Sequence, residues 1–174
     1  LRFILANSLT IARLLLGLAF PWLPTSCRLP LLVIGALSDL FYGALSRYFQ
    51  ATSQFGKVLD PIADKIFVLG VVSTLVMENR LALWQVGLIA LRDIAVFLAG
   101  ALIILWRGRK SLEEMSPTPV GKVTTALQFL FLISVMLTDE VNVWLFTLTA
   151  ILSGAAAIDY VRVMLAKSHT HLSQ

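Results

Sequence analysis

Three aspartates, Asp39, Asp60 and Asp64, stand close together in otherwise apolar sequence, accompanied by Tyr42, Gly43, Arg47 and Gly56. An ionised carboxylate in hydrocarbon costs roughly 2.5–3.5 kcal/mol on insertion scales, so the cluster requires water or a cation to offset it. On a helix, residues at i, i+3, i+4 and i+8 share a face. That spacing aligns Asp39, Tyr42, Gly43 and Arg47 in one stripe and Asp60 with Asp64 in another. Hard oxygen ligands on rigid helices suit Mg²⁺ or Mn²⁺, which also bind phosphate oxygens and so bring a phosphorylated substrate with them. A carboxylate not consumed by the metal can act as general base. Gly43 and Gly56 let a bulky group approach the backbone, or else serve close helix packing. Arg47 either pairs with a phosphate or snorkels to the membrane interface.

The elements that must carry these residues are transmembrane helices. Of 174 residues 58% are hydrophobic and only 14% charged, against about 25% charged in soluble domains. A helix needs about 20 residues to cross the hydrocarbon layer. Six stretches qualify, at 7–24, 30–48, 58–77, 82–106, 120–138 and 141–165, which predicts an all-α bundle of six spans in a single domain over 1–174. The apolar start, at Leu1 without a Met, reads as a mature membrane segment or fragment, because it lacks the charged region and small-residue cleavage site of a signal peptide. A lone Cys27 builds neither a disulfide framework nor a cysteine metal site.

Basic residues set the orientation, because cytoplasmic segments retain Lys and Arg. Arg2, Arg13, Arg47, Lys57, Lys65, Arg107, Arg109, Lys110, Lys122, Arg162 and Lys167 fall on one side of the predicted bundle, and Arg28 and Arg80 on the other. Both termini and the 49–57 turn are therefore expected to face the cytoplasm. The net charge of +4 reads as affinity for anionic headgroups, since no basic stripe interleaved with aromatics marks a nucleic-acid surface.

The run DLFYGALSRYFQATSQFGKVLDPIAD resembles the signature of the CDP-alcohol phosphatidyltransferases, D-x2-D-G-x2-A-R-x8-G-x3-D-x3-D. Asp39, Gly43, Arg47, Gly56, Asp60 and Asp64 match it, while Ser46 replaces Ala and Tyr42 replaces the second Asp. The resemblance implies a reaction in which an acceptor hydroxyl attacks the β-phosphorus of CDP-diacylglycerol and releases CMP. It implies that Asp39, Asp60 and Asp64 hold Mg²⁺ or Mn²⁺, and that Asp64 is also the catalytic base. Asp39, Gly43, Arg47, Gly56 and Asp60 would border the CDP moiety. It implies a location in a bacterial inner membrane, or on the matrix side of a mitochondrial one.

Tyr42 stands where the family has a metal ligand. A phenol with a pKa near 10 needs roughly 4 kcal/mol to ionise at neutral pH, so it does not substitute for a carboxylate. Three explanations remain open: an engineered inactive variant, a naturally impaired homologue, or a site working with one metal or borrowed ligands. As a plain structural residue, Tyr42 is an aromatic at headgroup level.

Three further stretches resemble the glycerol-acceptor branch, the phosphatidylglycerolphosphate and cardiolipin synthases. These are NSLTIAR at 7–13, LRDI at 91–94 and GKVTTALQ at 121–128, the last with Thr124 where the pattern has a second Lys. They suggest glycerol 3-phosphate or phosphatidylglycerol as acceptor, with Arg92, Lys122 and Arg107 as contacts. The neutral Thr124 leans toward the less charged phosphatidylglycerol. Arg92 with Asp93 is equally a structural pair with another span, whereas Lys122 and Arg107 read first as a solvated positive-inside loop and only second as acceptor contacts. Gly154 to Ala157 reads as close helix packing, within the chain or across a homodimer contact. Two other functions compete: a catalytically silent lipid- or nucleotide-binding homologue, and a small transporter, which would spread its carboxylates across the bilayer depth.

Overall fold

A chain whose side chains are mostly apolar must satisfy its backbone internally, and in lipid a helix does this within one segment. The computed structural model describes residues 2–49, 54–98 and 119–170, with side chains at Ser8, 10–38, 62–98 and 120–162, and no strand occurs among them. In chain order the helices are α1 (Arg2–Ala19), a 3₁₀ turn at Phe20–Trp22, α2 (Thr25–Phe49), α3 (Gln54–Met77), α4 (Leu83–Ile89), α5 (residues 91–98), α6 (Pro119–Thr138) and α7 (Val143–Thr170). Among the described residues two stretches are long and apolar enough to cross a membrane, Val120–Thr138 and Val143–Arg162.

The helices sort into two groups, Leu1–Leu81 with Leu132–Glu140, and Ala82–Phe131 with Val141–Gln174. In the first group, α1 and α3 pack backbone to backbone. A Cβ on Gly17 would lie 2.6 Å from the Phe67 Cα, and one on Gly70 would collide with the Gly17 carbonyl oxygen. Glycine at both positions is what allows this approach, as in other membrane helix pairs. Phe67 is fully buried, edge-on to Phe20 at 5.9 Å between ring centroids, and its ring tip fills the space above Gly35 of α2.

Ions close one end of this group. Arg28 pairs with Glu78, Arg80 Nε lies 2.9 Å from Glu78 Oε2, and Arg80 Nη1 reaches Asp139 Oδ1 at 2.5 Å. Arg28 also donates to the carbonyls of Leu23 and Pro21 at 2.9 and 3.0 Å. The two arginines that the charge count set apart thus join the start of α2 to the turn after α1 and to the ends of α3 and α6. Asn79 and Asp139, with φ of 58° and 59°, occupy the left-handed position that ends a helix. After α3 the Arg80 N–H returns to the Leu75 carbonyl at 2.9 Å, the six-to-one bond of a Schellman stop.

Elsewhere several threonine hydroxyls are satisfied by their own helix. Thr74, Thr124, Thr125, Thr138, Thr147 and Thr149 each donate to the carbonyl four residues back, at 2.7–3.1 Å. Large apolar side chains, including Leu69, Met77, Phe97 and Ile151, point outward, as lipid-facing helices require. Trp22, Trp84 and Trp144 are exposed at helix ends, where amphipathic rings suit a headgroup layer.

Three sequence expectations change. The helix α2 starts at Thr25 and carries Pro30 inside it, whereas the expected span begins only at residue 30. Near a helix start, Pro removes few intrahelical bonds. The apolar stretch 82–106 is interrupted at Ala90, between α4 and α5. Gly154 has open space where a Cβ would sit, so it makes no close packing within the described chain, although its neighbour Ala156 is buried.

Gly70→Ala is predicted to cost about 1–3 kcal/mol of stability by overpacking. Gly87→Ala, with nothing within 4 Å, is predicted to gain up to about 1 kcal/mol from lost unfolded-state entropy. Thermal unfolding in detergent, followed by size-exclusion chromatography, checks the opposite signs.

Candidate active site

The acidic stripes belong to consecutive helices. Asp39, Tyr42, Gly43 and Arg47 fall within α2, and Gly56, Asp60 and Asp64 within α3. Of these only the Asp64 side chain is described, and those of the other six lie outside the described residues. Asp64 is held mostly inside, with 15% of its side chain exposed, and the Lys65 ammonium lies 4.0 Å from its Oδ2. Among the described side chains no three of His, Cys, Asp or Glu gather as a metal site, and those of Asp39 and Asp60 lie outside those described.

One contact bears on how the two stripes are related. Gly35 meets the ring of Phe67, a Cβ there lying 2.5 Å from Cζ. Four residues, 50–53, separate α2 from α3, a length typical of antiparallel neighbours. From the contact toward that connection, α2 runs through Asp39, Gly43 and Arg47 at steps of four, the same stripe as Gly35. Along α3 the corresponding path from Phe67 runs back through Asp64, Asp60 and Gly56 at steps of three, four and four.

In the second group a polar network surrounds Arg92. Its Nη1 donates to Asp93 Oδ1 at 3.0 Å and to Thr125 Oγ1 at 3.2 Å, and Gln128 Nε2 lies 3.3 Å from Asp93 Oδ2. The ion pair is thus between neighbours in sequence, and α6 contributes polar contacts to it. Each side chain of the pair is 17% exposed. Lys122 is exposed one turn before Thr125 on α6, and Arg107 lies outside the described residues. Thr124 is fully buried, its hydroxyl turned to the Val120 carbonyl, so the position where the resembled pattern has a cation is here part of the interior.

Gln128 and Ser153 are parts of this network that the sequence did not single out. Gln128 closes the GKVTTALQ pattern, and its i, i+3 spacing from Thr125 on an apolar helix is the signal that marks it. For Ser153, set among small residues, no comparable signal exists.

The family model for CDP-alcohol phosphatidyltransferase matches residues 3–155. A CDP-diacylglycerol–glycerol-3-phosphate 3-phosphatidyltransferase of Sodalis glossinidius is 31% identical, over 68% of this chain and 64% of its own length. The enzyme of the same name from Yersinia pestis (strain Pestoides F) is 33% identical over 72% of this chain and 68% of its own. A "probable cardiolipin synthase (CMP-forming)" of Drosophila melanogaster is 27% identical over 89% of this chain and 56% of its own. The chain therefore spans less than two thirds of the Sodalis and Drosophila proteins.

Because removing one member of a part-buried pair leaves the other poorly compensated, Asp93→Leu is predicted to cost about 1–3 kcal/mol, and replacing Arg92 and Asp93 together by leucines less than the two single changes added. A double-mutant cycle on thermal unfolding in detergent tests the coupling.

Proposed function

This chain belongs to the CDP-alcohol phosphatidyltransferase family, and from that membership we propose that it transfers a phosphatidyl group from CDP-diacylglycerol to a glycerol-type acceptor in phospholipid biosynthesis. The observation that carries the proposal to particular residues is the Gly35–Phe67 contact. It anchors two antiparallel helices one turn from Asp39 on one side and from Asp64 on the other. That anchor and the four- and three-residue steps from it support a reading in which Asp39 faces Asp60 and Asp64, with Gly43, Arg47 and Gly56 following toward the connection.

Three carboxylates so arranged form an all-oxygen donor set that fits Mg²⁺ or Mn²⁺. When bound, the ion supplies positive charge against the phosphate oxygens as negative charge develops on them. Asp39, Asp60 and Asp64 hold it, and Asp39, Gly43, Arg47, Gly56 and Asp60 border the CDP moiety. Gly43 and Gly56 leave room for that group beside the backbone, and Arg47 pairs with its phosphates. Asp64 takes the proton of the acceptor hydroxyl. The hydroxyl oxygen forms a new bond to the β-phosphorus, the bond to the CMP phosphate breaks, and CMP departs with the electron pair.

Arg92, Lys122 and Arg107 serve the acceptor's phosphate. Two features of the second group favour an acceptor of low charge. Asp93 already offsets Arg92, and Thr124 withdraws a cation from the pattern. Phosphatidylglycerol fits better than glycerol 3-phosphate on that ground, which would make the product cardiolipin.

The whole of 1–174 acts as one six-span domain with the 49–57 turn and both termini at the cytoplasmic or matrix face. The family match, which runs through both helical groups, supports one domain. Ion pairing of Arg28 at the start of α2 with Glu78, and of Glu78 with Arg80, just after α3, together with exposed Trp22, supports the orientation.

Tyr42 favours a second possibility, a homologue that binds lipid nucleotide but turns it over poorly. With three acidic ligands where the signature has four, catalysis is strongly reduced while nucleotide binding is partly kept. Tyr42→Asp is predicted to raise CMP release from CDP-diacylglycerol at least about tenfold, equivalent to about 1.4 kcal/mol of transition-state stabilisation. Full activity in the unmodified chain, unchanged by Tyr42→Asp, contradicts impairment. Mn²⁺-dependent binding of CDP-diacylglycerol by calorimetry, without turnover before or after the substitution, supports the silent homologue.

A further inference from the structure

A helix that breaks inside an apolar run needs new partners for the backbone groups at the break, and in lipid only protein can provide them. Between α4 and α5 those partners are two side chains distant in sequence. The Ile89 carbonyl accepts from Gln128 Nε2 at 2.5 Å and from the Ser153 hydroxyl at 2.9 Å, and the Arg92 N–H donates to Ser153 Oγ at 3.0 Å. Ser153 is fully buried and Gln128 nearly so. Ser153 thus bridges both sides of the break, while Gln128 joins the break to the carboxylate that holds Arg92.

The guanidinium itself is only partly committed. Among the described residues, both of its hydrogen bonds leave from Nη1. A guanidinium has five N–H donors in a fixed fork, so donors on Nη2 and Nε are left for a ligand. Where the fork points is decided by the backbone at residue 92, and that backbone is pinned by Ser153 and, through Ile89, by Gln128.

We propose that Gln128 and Ser153 are positioning residues for acceptor recognition: by capping the α4–α5 break they fix the turn that carries Arg92 and aim its guanidinium at the phosphate of a glycerol-phosphate acceptor. This rests on the assignment of Arg92 to the acceptor made above. Neither residue touches substrate. Losing either cap lets the turn relax and weakens acceptor binding, and leaves the CDP moiety, which is held by α2 and α3, unaffected.

Calorimetry on the full chain in phosphatidylcholine nanodiscs, with CDP-diacylglycerol and Mn²⁺ present, tests this. Glycerol 3-phosphate is titrated in one arm and soluble dihexanoyl phosphatidylglycerol in the other, which separates the two sources of the same chemistry. Ser153→Ala and Gln128→Met are each expected to weaken the acceptor that binds by about three- to tenfold, the loss of one net hydrogen bond. Ser153→Thr, which keeps the hydroxyl, stays within about twofold, and CDP-diacylglycerol affinity holds in all three. Hydrogen exchange at the Arg92 amide is expected to quicken in Ser153→Ala. Quickened exchange with unchanged acceptor affinity overturns the proposal, as does an equal loss of affinity for both substrates. If Ser153→Ala does not survive purification, Gln128→Met carries the same expectation with the Ser153 bonds intact. Arg92→Gln separates the two levels. If it weakens the acceptor while the cap variants do not, positioning alone fails. If it has no effect, or if neither acceptor binds the unmodified chain, the acceptor assignment fails and this proposal with it.

Discussion

Phe67 is the point on which the first helical group turns. Its backbone lies against Gly17, its ring stands edge-on to Phe20, and its tip occupies the space that Gly35 leaves open. One side chain thereby sets the approach of α1 to α3 and the register of α2 against α3. A Cβ on Gly17, Gly35 or Gly70 would force one of these contacts apart, and packed interiors absorb little such change. Asp39 follows Gly35 by one turn and Asp64 precedes Phe67 by one, so the proposed cation site depends on packing at Phe67.

Polar groups are handled differently in the two groups of helices, and the difference parallels the roles proposed for them. At the far end of α1, α3 and α6, Arg28, Arg80, Glu78 and Asp139 make a network of ions at helix termini, where headgroups and water screen them. Around Arg92 the charges lie within an apolar segment, and a carboxylate, an amide and two hydroxyls are gathered about a broken helix. Such an arrangement is costly unless every member is bonded. Its presence, with part of the guanidinium uncommitted, is why the second group is assigned the acceptor.

Much of this was legible in the sequence, and the boundary of what was legible is physical. The ends of α3 and α6 fall at Met77 and Thr138, as polar residues after long apolar runs indicated, and Asn79 and Asp139 supply the left-handed stops. The family signature was readable because six chemically demanding positions recur at fixed spacing. The break at Ala90 was not readable: the residues about it are as apolar as a continuous span, and its partners lie far along the chain at Gln128 and Ser153. Nor did the sequence distinguish glycines. Gly17 and Gly70 sit in backbone contact while Gly87 and Gly154 face open space, and all four lie in similar apolar surroundings.

Convergence of the acids can be measured directly by thiol cross-linking. In a Cys27→Ser background, Asp39→Cys is combined with Asp60→Cys, with Asp64→Cys, or with Ile62→Cys, whose native side chain is exposed on another face of α3. A short bifunctional thiol reagent should join position 39 to 60 and to 64 but not to 62. Cross-linking to 62 in preference to 60 and 64 would place Asp39 on the wrong face of α3 and contradict a shared cation site.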